Sequence, residues 1–345
     1  MTLLEVNDLS IQYDTKDGPI QAVRNVSFSI DEDETFGLVG ESGCGKSTIA
    51  KGLLRILPPN GSITTGNIDL HLPDGSVDLA TADQRTLQRV RWDEVSMIAQ
   101  SAMNALDPVY TIGEQIVEAI QLHRKTPRKA ARERVRELFE MVGLDPERID
   151  SYPHQLSGGM RQRAMIAMSL ALEPSLILAD EPTTALDVIT QDHILEEINA
   201  LRDRIDNSML IITHDISVVA ETCDRVGVMY AGELVEVGPI EEVFVEPQHP
   251  YTLGLLNAFP TIEGDERELI TMTGSPPDLL DPPAGCNFYD RCPYRTEQCQ
   301  EEMPPLTDRG DDQHVACWVS GDGRDIQAEY STIMDDMEEE LWQRL

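Results

Sequence analysis

The sequence predicts an α/β fold built around a phosphate-binding loop, and three observations carry that expectation. GESGCGKST fits the pattern G-x-x-x-x-G-K-[ST]; it lies between an apolar strand, ETFGLVG, and TIAKGLLRIL, whose apolar residues recur at helical spacing; and a second apolar run, SLILADE, ends on Asp180 and Glu181. A length of 345 residues accommodates one large domain and a smaller one.

Strand, loop and helix in that order aim backbone N–H groups at a phosphate. Gly40, Glu41, Ser42, Gly43, Cys44, Gly45, Lys46, Ser47 and Thr48 are therefore expected around a nucleotide's phosphates. Lys46 suits the β- and γ-phosphates, Ser47 suits magnesium, and Cys44 is expected to offer only its backbone. Asp180 suits magnesium through an intervening ligand, and Glu181 suits the positioning and deprotonation of an attacking water. An apolar run ending in Asp-Glu is on its own an ordinary strand end. Its weight comes from LSGGMRQR just upstream, where Ser157, Gly158 and Gly159 put a hydroxyl and open N–H groups at a helix start, a second anion site.

In order and spacing these motifs resemble the ABC ATPase family over roughly residues 1–260. The resemblance implies a mixed sheet core, a helical subdomain at about 101–170, and ATP with Mg2+ as the bound species. IGEQIVEAIQL and RKAARERVRELFEMVGL do show helical apolar repeats in that subdomain. It further implies that Tyr13 stacks on adenine, that Gln100 touches magnesium and reports to a membrane partner, and that Asp187 addresses the opposing subunit. His214 would contact the γ-phosphate. From the residues alone, Tyr13 is a strand residue, Gln100 a loop glutamine and His214 a hydrogen-bonded strand-end histidine. Members of the family pack head to tail, each ATP lying between the phosphate loop of one chain and the signature of the other.

SAMNALDPVYTIGEQI and HPYTLGLL resemble the dipeptide, oligopeptide and nickel importer branch, and MRQRAMIAMSL resembles its D-type ATPase. The implied partners are a paralogous F-type ATPase subunit, giving a heterodimer with a homodimer as the alternative, two integral membrane permease subunits, and indirectly an extracellular solute-binding protein. Peptide is the expected cargo, with nickel and oligosaccharides as alternatives. The rival class is a channel-free ABC protein of DNA maintenance or translation, whose long coiled coils or fused ATPase units have no counterpart here.

Charge narrows the partners further. Asp and Glu number 62 against 27 Lys and Arg, a formal net charge of −35, and only five of the basic residues are Lys. Such a surface repels nucleic acid and anionic lipid and suits the molar salt of a halophile's cytosol, an acidic mesophilic enzyme being the alternative. No stretch reaches the ~20 apolar residues of a membrane span, and MTLLEVNDLSIQYD is too acidic for a signal peptide. The expected location is the cytoplasmic face of the cell membrane, held there by partner proteins.

From residue 261 Pro and Gly mark a loop-rich region to 320, followed by an acidic tail, 321–345. Cys286, Cys292, Cys299 and Cys317 gather there, which in a reducing cytosol favours metal over disulfides. The C-x-x-C knuckles usual for zinc are missing, and all-cysteine ligation suits an iron–sulfur cluster. GCNFYDRCPYRTEQC resembles the branch's cysteine region, which implies a 4Fe-4S cluster; zinc, with His314 as a further ligand, and unmetallated thiols stay open. Phe288, Tyr289, Tyr294 and Trp318 are few large apolar residues, so metal rather than burial is expected to order the segment. ATP turnover is expected to be independent of these cysteines.

Overall fold

Apolar residues alternate between two faces along the central strands, and that alternation decides the architecture. The computed structural model describes residues 1–100, 105–183, 191, 207–258, 272 and 274–320. Its strands are β1 (Thr2–Thr15), β2 (Gly18–Asp31), β3 (Thr35–Val39), β4 (Gly61–Leu72), β5 (Gly75–Asp78), β6 (Val95–Ile98), β7 (Leu176–Asp180), β8 (Ser208–Thr213), β9 (Arg225–Tyr230), β10 (Glu233–Pro239), β11 (Thr307–Asp308) and β12 (His314–Val315). The helices are α1 (Lys46–Leu53), α2 (Gln84–Asp93), α3 (Ile112–His123), α4 (Arg128–Met141), α5 (Gly158–Ser169), α6 (Ile216–Thr222), α7 (Ile240–Val245), α8 (Pro250–Asn257) and α9 (Glu297–Glu301).

An eight-stranded sheet runs β11-β12-β10-β9-β3-β8-β7-β6, parallel from β9 to β6 and antiparallel beyond. A four-stranded antiparallel sheet, β2-β1-β4-β5, packs against it. Leu176 and Leu178 of β7 and Leu210 and Ile212 of β8 face this second sheet and share its core with Val26, Ile30 and Ile68. Ile177, Ala179, Met209 and Ile211, the alternate residues, join the helices on the other face. Strands buried on both faces must be apolar throughout, which is why SLILAD and SMLIIT read as unbroken runs.

The two expected apolar repeats form α3 and α4. Thr111 and Glu114 form a reciprocal capping box that starts α3, worth about 1 kcal/mol, and Ile112, Ile116 and Ile120 then meet Ala131, Val135 and Leu138 of α4. Residues 101–104 at its beginning, Asp187, most of 259–273 and the tail from 321 lie outside the described residues.

Residues 274–320 share the ATPase core, and here burial exceeds the expectation. Phe288, Tyr294, Val315, Val319 and all four clustered cysteines are buried in the same cluster as the helices. The shortage of large side chains is made up by the ATPase core, whose Tyr230 and Tyr251 pack against Phe288 with ring centroids 5.2 and 5.6 Å away. β12 adds to the sheet by pairing Val315 with Glu236 and His314 with Val237.

Candidate nucleotide site

Register delivers the site. Val39 lies opposite Thr213, Ile98 opposite Ala179, and Asp180 opposite Ile212, so the carboxyl ends of β3, β6, β7 and β8 are level. In open α/β sheets ligands bind beyond those ends. The phosphate loop leaves β3, Gln100 follows β6, Asp180 and Glu181 end β7, and His214 follows β8.

The loop's tight course depends on its glycines. Gly40 (φ 150°) and Gly45 (φ 109°) hold backbone conformations that side chains rarely adopt, and an added Cβ would come within 2.0 Å of the Met229 carbonyl or 2.2 Å of the Ala22 carbonyl. Gly45 caps α1, whose first residue is Lys46. The buried Lys46 ammonium donates to the carbonyls of Gly40 (2.6 Å) and Glu41 (3.0 Å), drawing the loop around itself. Its nitrogen also stands 3.6 Å from the Cys44 sulfur. Burial pushes the Cys44 thiol up, while neighbouring Lys46 opposes that rise. The side chain of Cys44 thus packs under the loop in addition to the backbone role expected of it.

Ser47 donates to Asp180 (2.8 Å). Burial raises the Asp180 carboxyl, the Ser47 hydrogen bond opposes this, and the charge of Glu181 adds to it. A hydroxyl beside a buried carboxylate is a hard oxygen pair of the kind magnesium takes. Glu181 stands in the left-handed region (φ 49°), its N–H donating to the Ile212 carbonyl (2.7 Å). That conformation costs on the order of 1–3 kcal/mol for a residue with a side chain, and it turns the carboxylate out of the strand. Gln100 donates to one oxygen (2.9 Å), and His214 Nδ1 lies 3.2 Å from the other. A carboxylate oriented from both sides can accept a proton from a water held above the loop.

Tyr13, on β1, donates its hydroxyl to Thr48 (3.2 Å), and its ring lies against Gly61, where a Cβ would meet it at 2.7 Å. Ser157 caps α5 by accepting from the Met160 N–H (3.3 Å), and Ser157 and Gly158 are exposed at the helix start. The structure therefore brings Tyr13, residues 40–48, Gln100, Asp180, Glu181 and His214 to one end of the sheet, while the signature stands at the head of a separate helix.

The region from residue 235 to 299 matches the family described as oligopeptide/dipeptide transporter, C-terminal region, and residues 23–184 match the ABC transporter family. The dipeptide transport ATP-binding protein DppD of Bacillus subtilis is 44% identical over 97% of this chain and 98% of its own length. The chain belongs to the ATP-binding subunits of the oligopeptide/dipeptide ABC transporter family. Its relatives include OppD of the same organism, an oligopeptide transport ATP-binding protein 46% identical over 92% of this chain and 88% of its own. Among solved structures, the ATP-binding cassette MJ0796, a post-hydrolysis dimer bound to ADP and Pi, superposes with a TM-score of 0.61 at 27% identity, covering 69% of this chain and 98% of that one. As an ABC ATPase this subunit couples ATP hydrolysis to transport.

The four cysteines of the C-terminal region are free, buried and near enough to influence one another. Burial first, then the charges of Cys317 and Cys299, push Cys286 up to about 12. Burial and the same neighbours, with Cys286, push Cys292 higher still. Among the described residues no three His, Cys, Asp or Glu side chains close around a single ion. The region nevertheless touches the nucleotide site: Arg291 pairs with Glu41 in the phosphate loop, and Tyr251 bonds the same residue. The expected independence of the two sites left this out. Sequence reasoning missed Arg291 and Tyr251 because HPYTLGLL signals only the branch, and nothing local marks Arg291 beyond its place next to Cys292.

Proposed function

We propose that this chain powers the import of di- or oligopeptides from the cytoplasmic face of the cell membrane, as one of two ATPases clamped beneath two permease subunits. The observation that carries the catalytic part is the Glu181 carboxylate, held between Gln100 and His214 beyond the phosphate loop. Lys46 and the loop N–H groups bind the phosphates, Tyr13 faces adenine, and Glu181 takes the proton of the attacking water while His214 and Gln100 orient its carboxylate. Ser47, Asp180 and Gln100 are the residues that would hold magnesium, which supplies charge neutralisation at the phosphates. The start of α5 at Ser157–Gly159, exposed at Ser157 and Gly158, fits a second chain's nucleotide, and the resemblance to the family suggests that Asp187 also addresses that chain. No helix among the described residues is long and apolar enough to cross a membrane, so attachment falls to the permeases. A paralogous F-type subunit is our proposal for the second ATPase, with a homodimer as the alternative, and an extracellular binding protein for delivery of cargo.

For the four buried thiols we propose a 4Fe-4S cluster on the strength of their all-cysteine donor set, with zinc as the alternative; among the described residues no three of them close around a single ion. Within this reading the cluster braces residues 285–317.

Transport is tested by co-expressing the chain with its neighbouring permease and ATPase subunits and measuring ATP-dependent dipeptide uptake into vesicles. Uptake that disappears with Glu181→Gln supports the reading; co-purification with ribosomes or DNA instead of permeases overturns it. Anaerobically purified protein is expected to carry about four irons and four sulfides per chain. One zinc without iron refutes the cluster.

A further inference from the structure

Glu41 is held at three points. Lys46 (3.0 Å) and the Cys44 N–H (3.3 Å) donate to its carbonyl, its own N–H donates to the Tyr251 hydroxyl (2.9 Å), and its carboxylate receives two bonds from Arg291, at 3.0 and 2.8 Å. Arg291 comes from the cysteine-bearing region, 250 residues away in sequence. Its side chain is 6% exposed, and the guanidinium donates also to the Tyr230 hydroxyl (3.1 Å) and lies over the rings of Tyr230 and Phe288 at 5.5 and 5.7 Å. A planar cation seated on two rings has little freedom, so the fork it presents to Glu41 is fixed in direction.

The loop gains most from such an anchor. Gly40, Gly43 and Gly45 all have positive φ, so the chain here has little preference of its own and loses entropy when it orders around a phosphate. Of these anchors on Glu41, the one from Lys46 weakens when the ammonium turns toward phosphate oxygens. Arg291 and Tyr251 are then the side chains that hold Glu41, beside the Cys44 N–H within the loop itself.

We propose that Arg291 is a positioning residue for nucleotide binding: through Glu41 it holds the phosphate loop in the shape that receives ATP, so the C-terminal region sets nucleotide affinity from outside the nucleotide motifs. The inference is independent of what the four thiols carry.

The test measures KM for MgATP, kcat and melting temperature on the full chain. Arg291→Lys, which keeps the charge but loses the fork, and Glu41→Gln, which leaves the C-terminal region untouched, are each expected to raise KM roughly tenfold or more with kcat within about threefold. Combined, the two should do no more than the worse single change, since both break one interaction. Arg309→Ala removes the bond from Arg309 to the Cys317 carbonyl and loosens the same region away from the loop. It should lower the melting temperature and leave KM unaltered. Arg291→Lys and Glu41→Gln with KM within twofold of the unaltered protein, or effects that add in the double variant, or an equal rise in KM for Arg309→Ala, would each overturn the proposal. Should an Arg291 variant not fold, Glu41→Gln against Arg309→Ala decides it alone.

Discussion

At the scale of single residues, the roles proposed for Glu181 and Lys46 differ, and their variants should fail in different ways. Glu181→Gln keeps both orienting neighbours and the phosphate loop but gives up the base. It should bind ATP normally and lose at least ~100-fold in turnover, as read by steady-state phosphate release beside nucleotide binding; turnover within a few-fold removes Glu181 from that role. Lys46→Ala leaves phosphate charge without its cation and strips the loop of the bonds to Gly40 and Glu41, so affinity itself should collapse in an equilibrium binding measurement. These residues were legible because each belongs to a motif whose parts are adjacent in sequence. Arg291 was not: its partner Glu41 lies 250 residues earlier, and only the folded chain brings them together.

Among the secondary-structure elements, periodicity located the strands bearing the acids and His214 and the helices of the subdomain, because both patterns bury continuous apolar faces. It could not locate the bend in α2, where Arg91 leaves helical geometry and Trp92 has φ 75°, because Arg91 is tied instead to the carbonyls of Leu54 and Arg55, far off in sequence. Nor could it show what HPYTLGLL does physically. His249 caps α8 through its Nδ1, burial holding the imidazole down to about 3 and so neutral. The same turn donates its Gln248 and His249 N–H groups to Glu236 of β10, which also accepts from Gln313. Burial lifts the Glu236 carboxyl from 4.5 to about 7, against the pull of those hydrogen bonds. A raised value means that the folded state holds this proton more tightly than the unfolded chain. Its contribution is therefore fully present below 4.5 and is lost as pH rises through about 7. The melting temperature of the unaltered protein minus that of Glu236→Gln should accordingly fall between pH 5 and pH 8. A difference that grows with pH would contradict the assignment.

For the molecule as a whole, a net charge of −35 opposes compaction whenever it is unscreened. We infer a protein suited to molar salt, where the screening length is roughly 3 Å. Its melting temperature should climb steeply between ~0.1 and 3 M salt, and a flat scan would refute the inference. The acidic surface was plain in the composition, whereas the merging of residues 274–320 with the ATPase core was not, since it depends on Tyr230 and Tyr251 lending their faces to Phe288. That merging has an effect on how the chain behaves in a crowd of its own copies. β12 lies along β10, which would otherwise end the large sheet with its peptide groups unpaired. An open strand edge invites a neighbouring molecule to add itself. A chain cut after residue 258 should thus expose β10 and its flanking aromatics and form concentration-dependent aggregates in light scattering, even in salt that screens its charge. The cysteine-bearing segment, on this view, keeps the motor from zipping onto its own kind.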